Sequence, residues 1–165
     1  MKTVYILIGA KGSGKSYIGK LIEKKTGIKF LLTEGIFIDI QNSRDISDKS
    51  FLKEGYDIVE KKIDEYLKQN EKIVIESTGA FIFFEDFLKR FQSKYNLKLI
   101  FIYTPLRLCL QRISGRDILN HIKMSDSLIK NVYKISNSLN YKYVLRINNS
   151  NQGDDKIISS FKKIL

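Results

Sequence analysis

A glycine-rich stretch near the start of the chain constrains the fold more than any other feature. It follows the apolar run KTVYILIG (residues 2–9) and precedes a segment whose apolar residues recur at helical spacing. Glycines in such a turn let successive backbone N–H groups converge on phosphate oxygens without obstruction by a Cβ atom. The pattern G-x-x-x-x-G-K-[ST] between a strand and a helix therefore predicts a phosphate-binding loop instead of a merely solvated turn. The stretch comprises Gly9, Ala10, Lys11, Gly12, Ser13, Gly14, Lys15 and Ser16.

Two side chains of this loop carry specific expectations for ATP and Mg²⁺. Lys15 is expected to reach the β and γ phosphates of ATP, and the Ser16 hydroxyl is expected to ligate Mg²⁺. The positive end of the following helix would face the same anion. We therefore predict that residues 9–16, together with the adjoining Tyr17, bind the nucleotide.

Strand and helix patterns alternate along the rest of the chain. Apolar, β-branched runs predict strands at 2–9, 28–33, 72–77, 97–104 and 141–147, and amphipathic patterns predict helices at 15–26, 49–69, 84–95, 126–138 and from 154. A further helix is expected after Thr104, with Thr104 as its N-cap and Pro105 in its first position. This alternation predicts an α/β fold, a three-layer αβα sandwich with about five parallel strands, in a single domain spanning residues 1–165.

Composition and charge bound the cellular setting. The single cysteine, Cys109, excludes an internal disulfide, and neither a membrane-length apolar run nor a cleavable signal pattern is evident, so a cytoplasmic protein is expected. Residues 1–86 hold 14 basic and 14 acidic side chains, whereas residues 87–165 hold 15 basic and 4 acidic ones. The net charge of +11 therefore comes from the second half. Such a basic half attracts phosphate-bearing partners, nucleic acid among them, but also occurs without any ligand.

With these residues in view, the sequence resembles the small P-loop kinases of the shikimate kinase type over nearly its whole length. LIGAKGSGKSYIGKLIEKKTGIKF (7–30) is similar to that family's first strand, loop and helix, and CLQRISGRDIL (109–119) resembles its lid. The resemblance implies a short lid at about 113–126. It further implies that Arg112 lies near the adenine and that Arg116 contacts phosphate in the closed state. Asp117 occupies the position of the family's lid proline.

The positions at which this family binds shikimate carry different residues in this chain. The family's Asp-Ser-Asp falls on Leu32-Thr33-Glu34, its Phe-Arg on Tyr56-Asp57, its Gly-Gly-Gly on Thr78-Gly79-Ala80, and a later arginine at about Ser136. The resemblance implies substrate contacts at Glu34, Asp57, Thr78 and Gly79. An anionic acid would lose both guanidinium partners and meet Asp57 instead, so shikimate itself is not expected to be the substrate.

Two acidic residues are placed at the carboxyl ends of predicted strands, where doubly wound sheets bind ligands. Glu76 follows the apolar run KIVI and could hold Mg²⁺, while Glu34 could accept the proton of an attacking hydroxyl. The two roles could also be exchanged. Structural alternatives are that Glu34 caps the next helix and that Glu76 pairs with a buried lysine.

Together these patterns predict an ATP- and Mg²⁺-dependent kinase that moves the γ-phosphoryl group to a hydroxyl of a small molecule. Its catalytic residues would be Lys15, Arg116, Glu34 and Glu76. The alternatives are a kinase for nucleoside or polynucleotide hydroxyls, and a nucleotide-binding switch or ATPase without an acceptor. A monomer or a homodimer is expected.

Three further features have ordinary interpretations. His121 is the sole histidine and is expected at the surface, and Cys109 is expected in the core. The aromatic segment FIFFEDF (81–87) could line a substrate pocket or pack a helix on the sheet.

Overall fold

A parallel β-sheet lies at the centre of the computed structural model, which describes residues 1–116 and 121–165. Its strands are β1 (Thr3–Ile8), β2 (Phe30–Leu31), β3 (Lys72–Ser77), β4 (Asn96–Tyr103) and β5 (Leu145–Asn148). Their order is β2-β3-β1-β4-β5, and every neighbouring pair is parallel. The central strand β1 is buried along its whole length, as its unbroken apolar sequence leads one to expect.

Helices cover both faces of the sheet. Within the described residues they are α1 (Lys15–Thr26), α2 (Thr33–Ile40), α3 (Lys49–Leu67), α4 (Phe84–Lys94), α5 (Leu106–Ser114), α6 (Asp126–Ser138) and α7 (Asp154–Lys162). Apolar side chains of α1 and α7 pack with Tyr5 and Leu7 on one face. Those of α3 and α4 pack with Val4, Ile6 and Ile8 on the other. The predicted three-layer αβα sandwich is confirmed.

The second strand is shorter than its sequence pattern predicts. Only Phe30 and Leu31 pair with β3, and the chain then turns directly into α2. The Thr33 hydroxyl donates a hydrogen bond to the Glu76 carbonyl (2.9 Å), which ties the start of α2 to the end of β3. The apolar run FLLTEGIFI conceals this helix, because periodicity alone does not separate a short buried strand from a short buried helix.

The predicted starts of two other elements, the helix after Thr104 and the last strand, are wrong because tertiary contacts move them. Helix α5 begins at Leu106 with Pro105 as its N-cap residue, so Thr104 is not the cap. The buried Thr104 hydroxyl instead lies 3.0 Å from the Ser13 carbonyl oxygen, in the glycine-rich loop. Strand β5 begins only at Leu145, because Tyr141 and Tyr143 pack on Phe84 and Phe101.

The predicted core position of Cys109 is confirmed. Cys109 is fully buried. None of the helices in residues 1–116 or 121–165 combines the length and apolar character that a bilayer crossing demands.

Candidate active site

The glycine-rich loop joins β1 to α1 and depends on two left-handed glycines. Gly12 has a φ of 83° and Gly14 a φ of 94°, a conformation that L side chains rarely adopt. A Cβ at Gly12 would also collide with the backbone of Cys109, and one at Gly14 with the Asn149 amide. No side chain caps α1 at Gly14, so the first-turn amides, which lack intrahelical acceptors, remain available to an anion.

The Ser13 carbonyl oxygen is held by three side chains from different parts of the fold, which we term the Ser13 clamp. Its donors are Asn149 Nδ2 (2.9 Å), Arg112 Nη1 (3.4 Å) and Thr104 Oγ1 (3.0 Å), whose single proton is shared with the Tyr103 carbonyl at 2.9 Å. The C=O and N–H of a trans peptide point in opposite directions. The clamp therefore turns the Gly14 N–H away from the β4 and β5 ends.

Lys15 is buried within this loop, and no carboxylate of residues 1–116 or 121–165 is in direct contact with it. Its Nζ donates to the Ala10 carbonyl at 2.9 Å. Burial lowers the pKa of Lys15, and the nearby charges of Lys11 and Arg116 lower it further, while Glu76 and Glu34 act in the opposite direction. A bound polyanion would relieve this repulsion among the three cations, so the arrangement suits phosphate.

Ser16 and Glu76 form a second pair at the same end of the sheet. The Ser16 hydroxyl donates to Glu76 Oε2 (2.7 Å), while the buried Oε1 atom has no hydrogen-bond partner among the residues that the structure describes. Burial raises the pKa of Glu76, although Lys15 and the Ser16 hydrogen bond lower it in part. A hydroxyl beside an unpartnered carboxylate oxygen fits a Mg²⁺ ion completed by phosphate oxygens. Among the described residues, no cluster of three or more His, Cys, Asp or Glu side chains could hold a metal by itself.

Glu34 lies in the first turn of α2 and receives three hydrogen-bonding contacts. Lys11 Nζ lies 2.7 Å from its Oε1 atom, the Ile122 N–H donates to the same oxygen at 3.1 Å, and His121 Nδ1 lies 3.1 Å from Oε2. Burial alone would raise the pKa of Glu34, but Lys11 and the three hydrogen bonds outweigh it and hold the pKa below its usual value. His121 is thus half-buried against an acid, and the expectation of a plain surface histidine is wrong.

These groups open on one pocket. Its loop end is lined by Lys11, Lys15, Ser16, Glu34, Glu76 and Arg116. Beyond them the wall becomes apolar, with Phe81, Phe84 and Phe87 from the aromatic segment. Phe84 and Phe87 also belong to the core, so this segment both lines the pocket and packs on the sheet.

Several predicted site residues lie elsewhere. Asp57 is on the exposed side of α3, where it pairs with Lys53 (2.6 Å), so its predicted substrate contact is wrong. The neighbouring Tyr56 enters the pocket instead, because successive helical residues point in different directions. Thr78 lines the pocket, whereas Gly79 has a φ of 70° and faces Leu139.

Some of the residues predicted to bind the nucleotide do not line the pocket. Tyr17 is exposed, and its hydroxyl donates to Asp154 of α7 at 2.7 Å. Arg112 bonds to the Asn149 carbonyl (2.9 Å) and to the loop instead of lining the pocket. Gly9 packs against the Ile102 backbone. The middle of the predicted lid, residues 117–120 with Asp117, lies outside the described residues.

The sequence did not predict three features of the site: Asn149, Phe37, and the contacts of His121 and Ile122 with Glu34. Asn149 directly follows β5, and the rule that ligands gather at strand carboxyl ends could have identified it. Phe37 lies on α2, a helix that the sequence pattern did not reveal. His121 and Ile122 reach Glu34 across 87 and 88 positions, for which the sequence holds no local signal.

The loop geometry, the buried lysine and the sheet order together define the class of P-loop kinases, which are phosphotransferases. Within it, the chain belongs to the shikimate kinase family, whose family model, Shikimate kinase, matches residues 11–165. The predicted resemblance is therefore confirmed, and membership implies a nucleotide as the phosphoryl donor.

Relatives and structural neighbours with different names share this framework. A shikimate kinase from Clostridium botulinum is 32% identical over 171 residues, covering 100% of this chain and 98% of that protein. A cytidylate kinase from Saccharolobus islandicus is 28% identical over 151 residues, covering 88% and 76%. A crystal structure of a sugar kinase from Janibacter sp. HTCC2649 has a TM-score of 0.73 at 14% identity, covering 99% and 94%. These names refer to different acceptors, so the acceptor must be inferred from the pocket.

Removal of the Thr104 hydroxyl is expected to loosen the loop. Thr104→Val keeps the side-chain shape but takes one donor from the buried Ser13 carbonyl, so the free energy of unfolding should fall by about 1 kcal/mol. The dissociation constant for ADP, measured by calorimetry, should rise at least threefold. Thr26→Val, which removes a hydroxyl at the far end of α1, should leave ADP affinity unchanged. Equal ADP affinity in wild type and Thr104→Val would contradict the clamp.

The Glu34 ion pair is expected to make stability depend on pH. Because the pKa of Glu34 is lower in the folded protein, its carboxylate stabilises the fold above the unfolded pKa of about 4.3, and this contribution disappears as pH falls through the folded pKa. Glu34→Gln should therefore lower the free energy of unfolding by about 1–3 kcal/mol at pH 7. The difference should shrink below about pH 4.

Urea denaturation at pH 7 and pH 3.5 measures this difference. The exposed Lys53–Asp57 pair supplies the control, because Asp57→Asn should leave stability nearly unchanged at both pH values. A loss of equal size at both pH values for Glu34→Gln would show that its carboxylate charge is not responsible.

Proposed function

We propose that this kinase transfers the γ-phosphoryl group of ATP, with Mg²⁺, to a hydroxyl of a small molecule. One observation carries the proposal: the glycine-rich loop with Lys15, the Ser16–Glu76 pair and Glu34 open on the same pocket as an apolar recess beside them. Donor phosphates and an acceptor hydroxyl could meet there with little water between them. Such positioning accounts for most of the catalytic effect in phosphoryl transfer.

In this proposal the loop and its cations bind the phosphates. The amides of residues 9–16 cradle the β phosphate, and Lys15 and Arg116 neutralise charge on the transferred group. Arg112, bonded to both the loop and the Asn149 carbonyl, lies at the edge proposed for the adenine. Ser16 and Glu76 would hold Mg²⁺, which would offset the charge of the phosphate oxygens.

Glu34 is the carboxylate proposed to orient the acceptor. Its lowered pKa keeps it ionised near neutral pH, so it can accept a hydrogen bond from the attacking hydroxyl. The acceptor oxygen forms a bond to the γ phosphorus while the bond from that phosphorus to the bridging oxygen breaks, and ADP leaves. The hydroxyl proton passes to Glu34 and then to solvent.

We further propose that residues 1–165 act as one kinase domain with a lid at about 113–126. Support comes from the residues on both sides of the undescribed stretch. Arg116 lines the loop end of the pocket, and Ile122 and Met124 line its apolar part. A segment that begins and ends at the pocket can close over it after the nucleotide binds.

Transfer of labelled phosphate tests the proposed function directly. Purified protein with γ-labelled ATP and Mg²⁺ is offered metabolite alcohols, nucleosides and oligonucleotides, and a labelled acceptor is the expected product. Lys15→Ala should abolish transfer while circular dichroism remains that of the wild type. Hydrolysis of ATP without any labelled acceptor would favour a nucleotide switch and refute the kinase proposal.

Arg116 is expected to act mainly in the transition state. One charged contact to the transferring phosphoryl group contributes about 1.5–3 kcal/mol, so Arg116→Ala should lower kcat at least tenfold. The exposed Arg107 of α5 provides a matched control, and Arg107→Ala should leave kcat unchanged. Steady-state kinetics with a productive acceptor measure both, and an unaltered kcat for Arg116→Ala would assign that arginine to the solvated surface.

A further inference from the structure

The part of the pocket that faces away from the loop is an apolar chamber. It is formed by α2, α3, α4 and the loop before α4, and its walls are Phe37, Leu52, Tyr56, Phe81, Phe84 and Phe87. Ile122 and Met124, in the C-terminal part of the predicted lid, also line it. Burying a ring or an aliphatic body against these side chains is favourable in proportion to the apolar area removed from water.

Positive charge is confined to the opposite end of the pocket. Among the described residues that line the pocket, the cations are Lys11, Lys15 and Arg116. Lys11 is paired with Glu34 at 2.7 Å, and Lys15 is held at the Ala10 carbonyl. Arg116 also lines the pocket, close enough to Lys15 and Glu76 for its charge to act on both. The described walls of the apolar chamber thus offer no cationic partner.

The polar groups that border the chamber are neutral hydroxyls. Burial raises the pKa of Tyr56 to about 12, so its phenol is uncharged. Ser77 and Thr78 accept hydrogen bonds from the amides of Gly79 (3.0 Å) and Ala80 (3.3 Å) through their hydroxyl oxygens. Such groups can exchange hydrogen bonds with alcohol, ether or amide groups, but they do not neutralise an anion.

A serine, Ser136, stands at about the position where the related family carries a second arginine. Ser136 of α6 is fully buried and donates to the Thr78 carbonyl at 2.7 Å, so it contributes backbone support instead of a charge. Asp57 points to solvent. A carboxylate or phosphate on the acceptor body would therefore lose its hydration in the chamber without gaining a counter-charge.

We propose that the acceptor is an uncharged alcohol whose hydroxyl is attached to an apolar or aromatic body, with the body in the apolar chamber and the hydroxyl near Glu34. This inference rests on the proposed kinase function and adds the substrate class to it. Nucleosides and neutral hydroxylated rings belong to this class. Carboxylated acids and nucleoside monophosphates do not.

Matched pairs of compounds that differ in charge test the inference. The pairs are 4-(hydroxymethyl)benzoate and its methyl ester, shikimate and its methyl ester, and cytidine 5′-monophosphate and cytidine. Binding to the wild-type protein with ADP and Mg²⁺ is measured by calorimetry, and transfer is measured with γ-labelled ATP. The neutral member of at least one pair should bind at least tenfold more tightly than its anionic partner, and its kcat/KM should be higher by a similar factor.

The two measurements separate the possible failures. Preferential binding of the anionic members, or no binding of any member, would overturn the neutral acceptor class. Preferential transfer to the anionic members would also overturn it while leaving the kinase function intact. Preferential binding of neutral members without transfer to any compound would support the acceptor class and contradict the kinase function.

A substitution in the chamber wall provides an independent test. Phe81 is half-buried and belongs to a loop, so it tolerates replacement better than the core residues Phe84 and Phe87. Phe81→Arg places a cation in the chamber and should shift the binding preference toward the anionic member of a pair by at least fivefold. Phe81→Leu keeps the wall apolar and should keep the wild-type preference. An unchanged preference in Phe81→Arg would overturn the inference.

Discussion

The Ser13 clamp is the interaction on which the nucleotide side of this kinase depends. A single carbonyl oxygen receives Thr104 from the end of β4, Arg112 from α5 and Asn149 from the end of β5. Asn149 is itself anchored, because its N–H donates to the Tyr103 carbonyl at 2.8 Å. The ends of two of the five strands, together with α5, thus contribute to the orientation of one peptide in the loop. Preorganisation of this kind lets the backbone bind charge without rearranging when the ligand arrives.

The framework of the fold was predictable because its elements obey local rules. The start and end of α1 follow from a loop of fixed chemistry and from Gly27 after its last residue, and β3 is an apolar run bounded by polar residues. Helix α2 and the true start of α5 were not predictable in this way. Both depend on a threonine hydroxyl, Thr33 or Thr104, that bonds to a distant carbonyl, and sequence periodicity carries no information about such a partner.

The candidate site was predictable where function requires one residue type and unpredictable where it depends on packing. The loop, its lysine and the two acids could be named from the sequence because phosphate and metal chemistry restrict the choice of side chains, and the structure brings Lys15, Glu34 and Glu76 to one pocket. Asp57 was assigned to the pocket by correspondence with a family position, but helix α3 turns it outward and presents Tyr56. His121 and Ile122 are brought to Glu34 only by the tertiary fold, because they lie 87 and 88 positions away in the sequence.

The contact between Ile122 and Glu34 links the hydrogen bonding of the acid to the lining of the apolar chamber. The main chain of this residue bonds to the carboxylate, while its side chain forms part of the chamber's apolar lining. A displacement of Ile122 would therefore remove a hydrogen-bond donor from the acid and open the apolar lining together. Filling of the chamber and orientation of the Glu34 carboxylate are in this way coupled through a single residue.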